Sequence, residues 1–136
     1  MTDDAATARL REAMPLCALL QVRAEVYAAE EVVLALDWSP TLCTTNGVMH
    51  GGAVMALSDS AGGACAMLNL PGDATGTATI ESKTNFLRVV GAGTVTATSR
   101  PLHRGGTTIV VETVLHDSAG RLVAKTTQTQ IVLRSR

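Results

Sequence analysis

Aromatic side chains are almost missing from this chain of 136 residues: Tyr27, Trp38 and Phe86 are the only three. The core must therefore be built from Val, Leu, Ala, Ile and Met. An excess of charge is missing too, with 11 Lys and Arg against 12 Asp and Glu and a formal net charge of −1. Without a basic excess or stacking aromatics, the chain does not read as a nucleic-acid binder. No apolar run approaches the length that spans a bilayer, so no membrane partner is expected. Met1 to Ala13 is mixed and charged and lacks a signal-peptide layout, which makes the cytoplasm the expected compartment. The three cysteines, Cys17, Cys43 and Cys65, are odd in number and widely spaced, and no Cys-x-x-Cys pair exists. Disulfide, zinc and redox readings are therefore weak, and all three read as buried thiols.

What remains is an ordinary globular balance, 46% apolar and 17% charged, in a length that suits one domain over 1–136. A domain of this size buries roughly two-thirds of its unfolded surface, so it needs neither disulfide nor metal. Residues 1–17 read as a helical extension, with a helix over 4–13 ended by Pro15. Two strands follow between Leu19 and Trp38, where Val22, Ala24 and Val26 alternate with polar residues and Val32, Leu34 and Leu36 repeat the pattern. Pro40 to Met49 reads as a loop. His50 to Leu70 is the one long helical candidate, although its four glycines would each cost roughly 1 kcal/mol in an isolated helix. Such a helix requires support from a sheet packed closely around it.

From Thr75 onward the chain reads as strands: Thr75–Arg88, Thr94–Leu102, Thr107–His116 and Leu122–Leu133. Short turns at Gly91-Ala92-Gly93, Arg104-Gly105-Gly106 and Asp117-Ser118-Ala119-Gly120 separate them and imply an antiparallel meander. The expected fold class is α+β, with a long central helix wrapped by a curved antiparallel sheet of five to six strands.

Between Asp37 and Asp73 the only charged side chain is Asp59, in the middle of the apolar helix. It marks either the helix's one wet stripe or a carboxylate held in an apolar cleft, where its pKa would rise. Upstream lies Asn46-Gly47-Val48-Met49-His50-Gly51-Gly52. Glycines at a loop-to-helix junction present backbone N–H groups at the positive helix end, where they can stabilise a developing oxyanion or simply permit a tight turn. Gly51 and Asp59 are eight residues apart, about 12 Å along a helix. If both act on one group, they must come from different chains, across a twofold axis between antiparallel helices.

These motifs resemble those of the hotdog-fold thioesterases, in particular the phenylacetate-degradation (PaaI-like) group. The resemblance rests on Gly47 to Gly52, Asp59, Asn85-Phe86-Leu87-Arg88 and Asp117 to Ala124, and it runs from about residue 18 to residue 133. It implies a hotdog fold, a homodimer tending to a dimer of dimers (a homotetramer), and hydrolysis of acyl-CoA with no metal or separate cofactor. It also implies roles: Gly51 N–H polarises the thioester, His50 orients the loop, and Asp59 of the partner is base or nucleophile. Thr79 matches the position of a hydroxyl that holds the attacking water. Thr44 stands where the family often has Asn or Gln, with the amide at Asn46 instead. Gly63 leaves room where some relatives carry a hydroxyl, and Gly52 extends the glycine turn. Arg88, Arg104 and Thr107 are candidates for the coenzyme A phosphates; the alternative is that these charges near turns are solvated. His103 and His116 are expected at the surface. A dehydratase or hydratase, or a non-catalytic acyl-CoA-binding module, is the alternative on the same fold.

Overall fold

Alternate residues of Thr108–His116 are buried and half-buried in strict succession, the period-two signature of a strand with one face on a core. The same rule organises the sheet in this computed structural model, which describes all residues from Met1 to Arg136. The strands are β1 (Arg23–Tyr27), β2 (Val32–Asp37), β3 (Ala74–Phe86), β4 (Thr94–Arg104), β5 (Thr108–His116) and β6 (Leu122–Arg134). The helices are α1 (Asp4–Ala13), α2 (Pro15–Leu20) and α3 (Gly51–Met67), with 3₁₀ turns at Pro40–Leu42 and Thr45–Gly47 in the long loop.

All six strands form one antiparallel sheet in the order β1-β2-β4-β5-β6-β3. Only β4, β5 and β6 form the expected meander. β3 does not pair with β4; it pairs along its length with β6 and forms the far edge. The reason lies in α3, which crosses the concave face over β4 and β5 and delivers the chain to that edge. Residues 87–93 then return to the middle of the sheet, where β4 pairs with β2.

The N-terminal extension differs from the expected single helix. Pro15 does not merely end α1 but opens α2 at its first position, where a missing N–H costs nothing and the fixed φ suits a helix. Cys17 to Leu20 are therefore helical, and the strand region begins only at Arg23. α1 is fastened to β1 by Thr7, whose hydroxyl accepts from Ala24 N–H at 2.9 Å, and by Arg11, whose Nε donates to Val22 O at 3.0 Å.

The core joins Val54, Leu57, Ala61 and Cys65 of α3 to Val95 and Ala97 of β4 and to Ile109, Val111 and Leu115 of β5. Gly62 permits the closest approach: a Cβ there would lie 1.9 Å from Gln128 Oε1. The Gln128 side chain is fully buried, and its amide has no hydrogen-bond partner, so it has little room to yield. Gly62→Ala is expected to destabilise the fold by about 1–3 kcal/mol, the scale of overpacking. Shortening the opposing residue in Gly62→Ala/Gln128→Ala should recover part of that loss in a denaturant titration.

Candidate functional site

The loop before α3 is fixed from both sides. Met49 N–H donates to Val90 O at 2.7 Å and His50 N–H to Leu42 O at 2.8 Å. Thr44 N–H closes the loop on Val48 O at 2.9 Å, and Trp38 Nε1 donates to Gly47 O at 3.1 Å. Asn46 takes a left-handed φ of 66°, which a short amide side chain tolerates better than most residues. It sits exposed at the loop tip, whereas Thr44 lines a cavity beside Gly51.

His50 is the N-cap of α3. Its Nδ1 accepts from Gly52 N–H at 2.7 Å, so the Gly52 donor is occupied. Gly51 N–H, one residue earlier, makes no hydrogen bond within the chain. It is a free donor at the positive end of a 17-residue helix, the setting that stabilises an anion. His50→Ala should cost about 1 kcal/mol of stability through loss of the cap. His50→Asn offers another capping side chain and should restore most of it, as thermal melts will show.

Gly51 lines a mostly apolar cavity of about 420 Å³ together with Thr44, Val54, Phe86, Arg88 and Val90. A Cβ at Gly51 would meet the Phe86 ring at 3.5 Å, an ordinary contact. A second apolar groove, of about 320 Å³, runs on the other side of the helix start between Leu16, Leu20, Leu42 and Ala56 and includes His50 and Gly52.

Asp59 lies on the one exposed stripe of α3, with Gly52 and Met67 along it and Gly63 and Met55 half-buried beside it. The wet-stripe reading therefore holds for the single chain. Even so, the surrounding protein strips water from the carboxyl and pushes its pKa above the ordinary value. The methyl group of Met14 lies 3.8 Å from a Cβ built at Gly63 and takes up part of the space left there. The cysteines offer no competing nucleophile. Burial raises Cys17, and it pushes Cys65 up to about 11 against the opposing pull of Arg104. Cys43 is only half-buried, in the loop rather than the core, and its thiol donates to Ser39 O at 3.3 Å.

The single chain divides the sequence-derived candidates into two groups. Thr44, His50, Gly51 and Arg88 gather at one end of the sheet. Thr79 lies at the other end, opposite Gln130, whose neighbour across β5 is Ile109, paired in turn with Arg104. Arg88 N–H bonds to Val123 O, and Val123 lies seven residues from Gln130, about 23 Å along β6. Arg88 and Arg104 therefore do not meet in one chain. Thr107, whose carbonyl accepts from Val132 N–H, belongs with Arg104. Thr79 is likewise far from Gly51, because the strand residue that touches Gly51 is Phe86. Its hydroxyl accepts from Gln130 Nε2 at 2.6 Å. His103 is exposed and His116 half-buried, both at strand ends. The sequence reading missed a chain of hydroxyls that runs from the core to the half-buried Thr84: Ser58 donates to Thr126 at 2.7 Å, and Thr126 and Thr84 share a bond of 2.8 Å.

Comparison with known proteins agrees with this architecture. Residues 46–124 match the thioesterase superfamily. A candidate esterase of Saccharolobus solfataricus is 34% identical over 104 residues, covering 76% of this chain and 73% of that protein. The structure of a mutant thioesterase from Pseudomonas aeruginosa superposes with a TM-score of 0.86 at 26% identity, covering 93% of each chain. The PaaI protein of the Escherichia coli phenylacetic acid degradation operon shares the fold, with a TM-score of 0.83 at 19% identity over 94% of this chain and 91% of that one. The chain belongs to the thioesterase superfamily and has its hotdog fold. No helix is long and apolar enough to cross a membrane.

Proposed function

We propose that this protein hydrolyses acyl-CoA thioesters to a free carboxylic acid and coenzyme A, at a site shared by two copies of the chain. The observation that carries this reading is the free Gly51 N–H beside an apolar cavity, on the same helix as the crowded carboxylate of Asp59. The two are about 12 Å apart along the axis, too far for one chain to bring both to one carbonyl.

A twofold axis with α3 antiparallel to its copy brings the Gly51 end of one chain to the Asp59 side of the other. β3 supports such pairing: it is an edge strand of 13 residues with Ile80 60% exposed. A long, unprotected edge of this kind invites a partner strand. The same operation carries Thr79, Arg104 and Thr107 of one copy toward the Gly51 end of the other.

In this site Gly51 N–H receives the negative charge that develops on the thioester oxygen. Asp59 of the other copy takes a proton from water as the water adds to the carbonyl, or attacks the carbonyl itself to form an acyl–Asp59 anhydride that water hydrolyses after the thiolate has left, releasing the acid and restoring the carboxylate. The C–S bond then breaks and the thiolate leaves as coenzyme A. Arg88, at the cavity rim, suits the phosphates of the carrier, since guanidinium matches phosphate geometry.

The test is a thiol-release assay on benzoyl-, hexanoyl- and palmitoyl-CoA. Turnover of at least one, abolished by changing Asp59, is the expected result. Saturable binding of these compounds with no thiol released would favour the binding-module reading instead.

A further inference from the structure

The hydrophobic pattern of α3 fixes only coarsely how the helix is turned about its own axis: Val54, Leu57, Ala61 and Cys65 face the core, but apolar and small residues continue around most of the helix. Gly, Ala, Val, Leu and Met point in nearly every direction, and within the helix only Gly52, Asp59 and Met67 are exposed. A helix with a sharply bounded apolar stripe is held in one orientation by burial; in α3 the buried arc is broad and made mostly of Ala, Gly and Ser, so burial alone holds the orientation loosely.

The two serines that flank Asp59 behave differently. Ser60 donates to Ala56 O, four residues back on its own helix, at 2.7 Å, the local bond that helical serines commonly make. Ser58 forgoes that bond and reaches across to Thr126 of β6 at 2.7 Å. It is the only side chain of α3 hydrogen-bonded to the sheet. Ser58 and Thr126 are each 1% exposed, so water does not readily replace the bond. Thr126 is held in turn by Thr84 of β3 at 2.8 Å. One turn later Gly62 lies against Gln128, two residues beyond Thr126 on the same strand.

We propose that Ser58 and Thr126, backed by Thr84, set the roll of α3 and so aim the Asp59 carboxylate; they are positioning residues. The proposal rests on the reading of Asp59 as base or nucleophile. The lever is large. A side chain at the helix periphery stands about 5–6 Å from the axis, so a roll of only about 5° moves it by about 0.5 Å. Misplacing a reacting group by about 1 Å can cost on the order of 100-fold in rate.

The test uses full-length Ser58→Ala and Thr126→Val, assayed on whichever of benzoyl-, hexanoyl- and palmitoyl-CoA is turned over fastest. Each should lower kcat by about 3–30-fold, with KM within about twofold and the acid limb of the pH profile unmoved, because Asp59 remains the titrating group. The double variant should be no worse than Thr126→Val alone, since that change already removes the bond to Ser58 along with the one to Thr84. Thr126→Ser keeps the hydroxyl and should retain near wild-type kcat. Wild-type kcat in folded Ser58→Ala and Thr126→Val, or additive losses in the double variant, would overturn the proposal. Asp59→Asn, measured alongside, separates the two readings: if it alone loses activity, only the positioning role fails, and if it is fully active, both readings fail.

Discussion

Asp59→Asn should lower kcat by at least about 100-fold while leaving KM nearly unchanged, the scale expected when a general base or nucleophile is lost. The substitution keeps the shape of the side chain and removes only its capacity to ionise. No other group in the helix replaces it, because Asp59 is the sole charge between Asp37 and Asp73 and the thiols of Cys17 and Cys65 are held protonated by burial. Partial desolvation by the surrounding protein raises the Asp59 carboxyl although the side chain is exposed in the single chain, so the acid limb of kcat/KM should lie above the ordinary carboxylate value. Stability carries the opposite sign. Below the unfolded-state pKa the carboxyl is protonated in both states and folding incurs no desolvation penalty. As pH rises through the higher folded-state pKa, the folded protein must hold a poorly hydrated charge and loses that stability. Asp59→Asn should therefore melt higher than wild type at neutral pH, with the gap closing in acid. Activity and stability thus move in opposite directions at one residue, which a general folding defect does not produce. Single-turnover hydrolysis in oxygen-labelled water then separates the two chemical roles. Direct attack forms an anhydride, and water adding to its Asp59 carbonyl leaves the label in the enzyme carboxylate and an unlabelled first product, whereas general-base catalysis places the label in the first product.

Much of this architecture was legible in the sequence because a few residues carry unambiguous signals. His50, Gly51 and Gly52 marked the start of α3 to within a residue, and Pro71-Gly72-Asp73 marked the region beyond its end. The isolation of Asp59 in an apolar helix was visible as a single charge in a long neutral stretch. Other features have no local signature. Pairing of β3 with β6 rather than β4 depends on where α3 delivers the chain, and no residue of β3 encodes that. In β6, Thr126, Gln128 and Gln130 face the core while Lys125, Thr127 and Thr129 are the alternating set on the other side. Both sets are polar, so period-two alternation of hydrophobicity cannot show which faces inward. The contacts of Ser58 and Gly62 with that strand were hidden for the same reason. Pro15 was ambiguous in another way: the residue that stops one helix is also well suited to start the next.

The shared site is tested most directly by mixing two inactive chains. Gly51→Pro removes the backbone donor at little structural cost. Gly51 is the first residue of α3, where proline is well tolerated. His50 before it already has φ −60° and ψ 135°, the extended geometry that a residue preceding proline prefers. The variant should lose about 100- to 1000-fold in kcat, as for removal of an oxyanion-hole donor. Gly51→Ala, which keeps the N–H and fits against Phe86, should stay within about tenfold of wild type on the same scale. Co-expressed with Asp59→Ala, the Gly51→Pro chain should form heterodimers holding one intact and one doubly damaged site, because a twofold interface uses the same patches on both copies. Purified by two different tags, those heterodimers should show about half the wild-type activity per dimer, with both parent homodimers inactive. Verified heterodimers as inactive as their parents would contradict the account, since they would mean that Gly51 and Asp59 must come from the same chain.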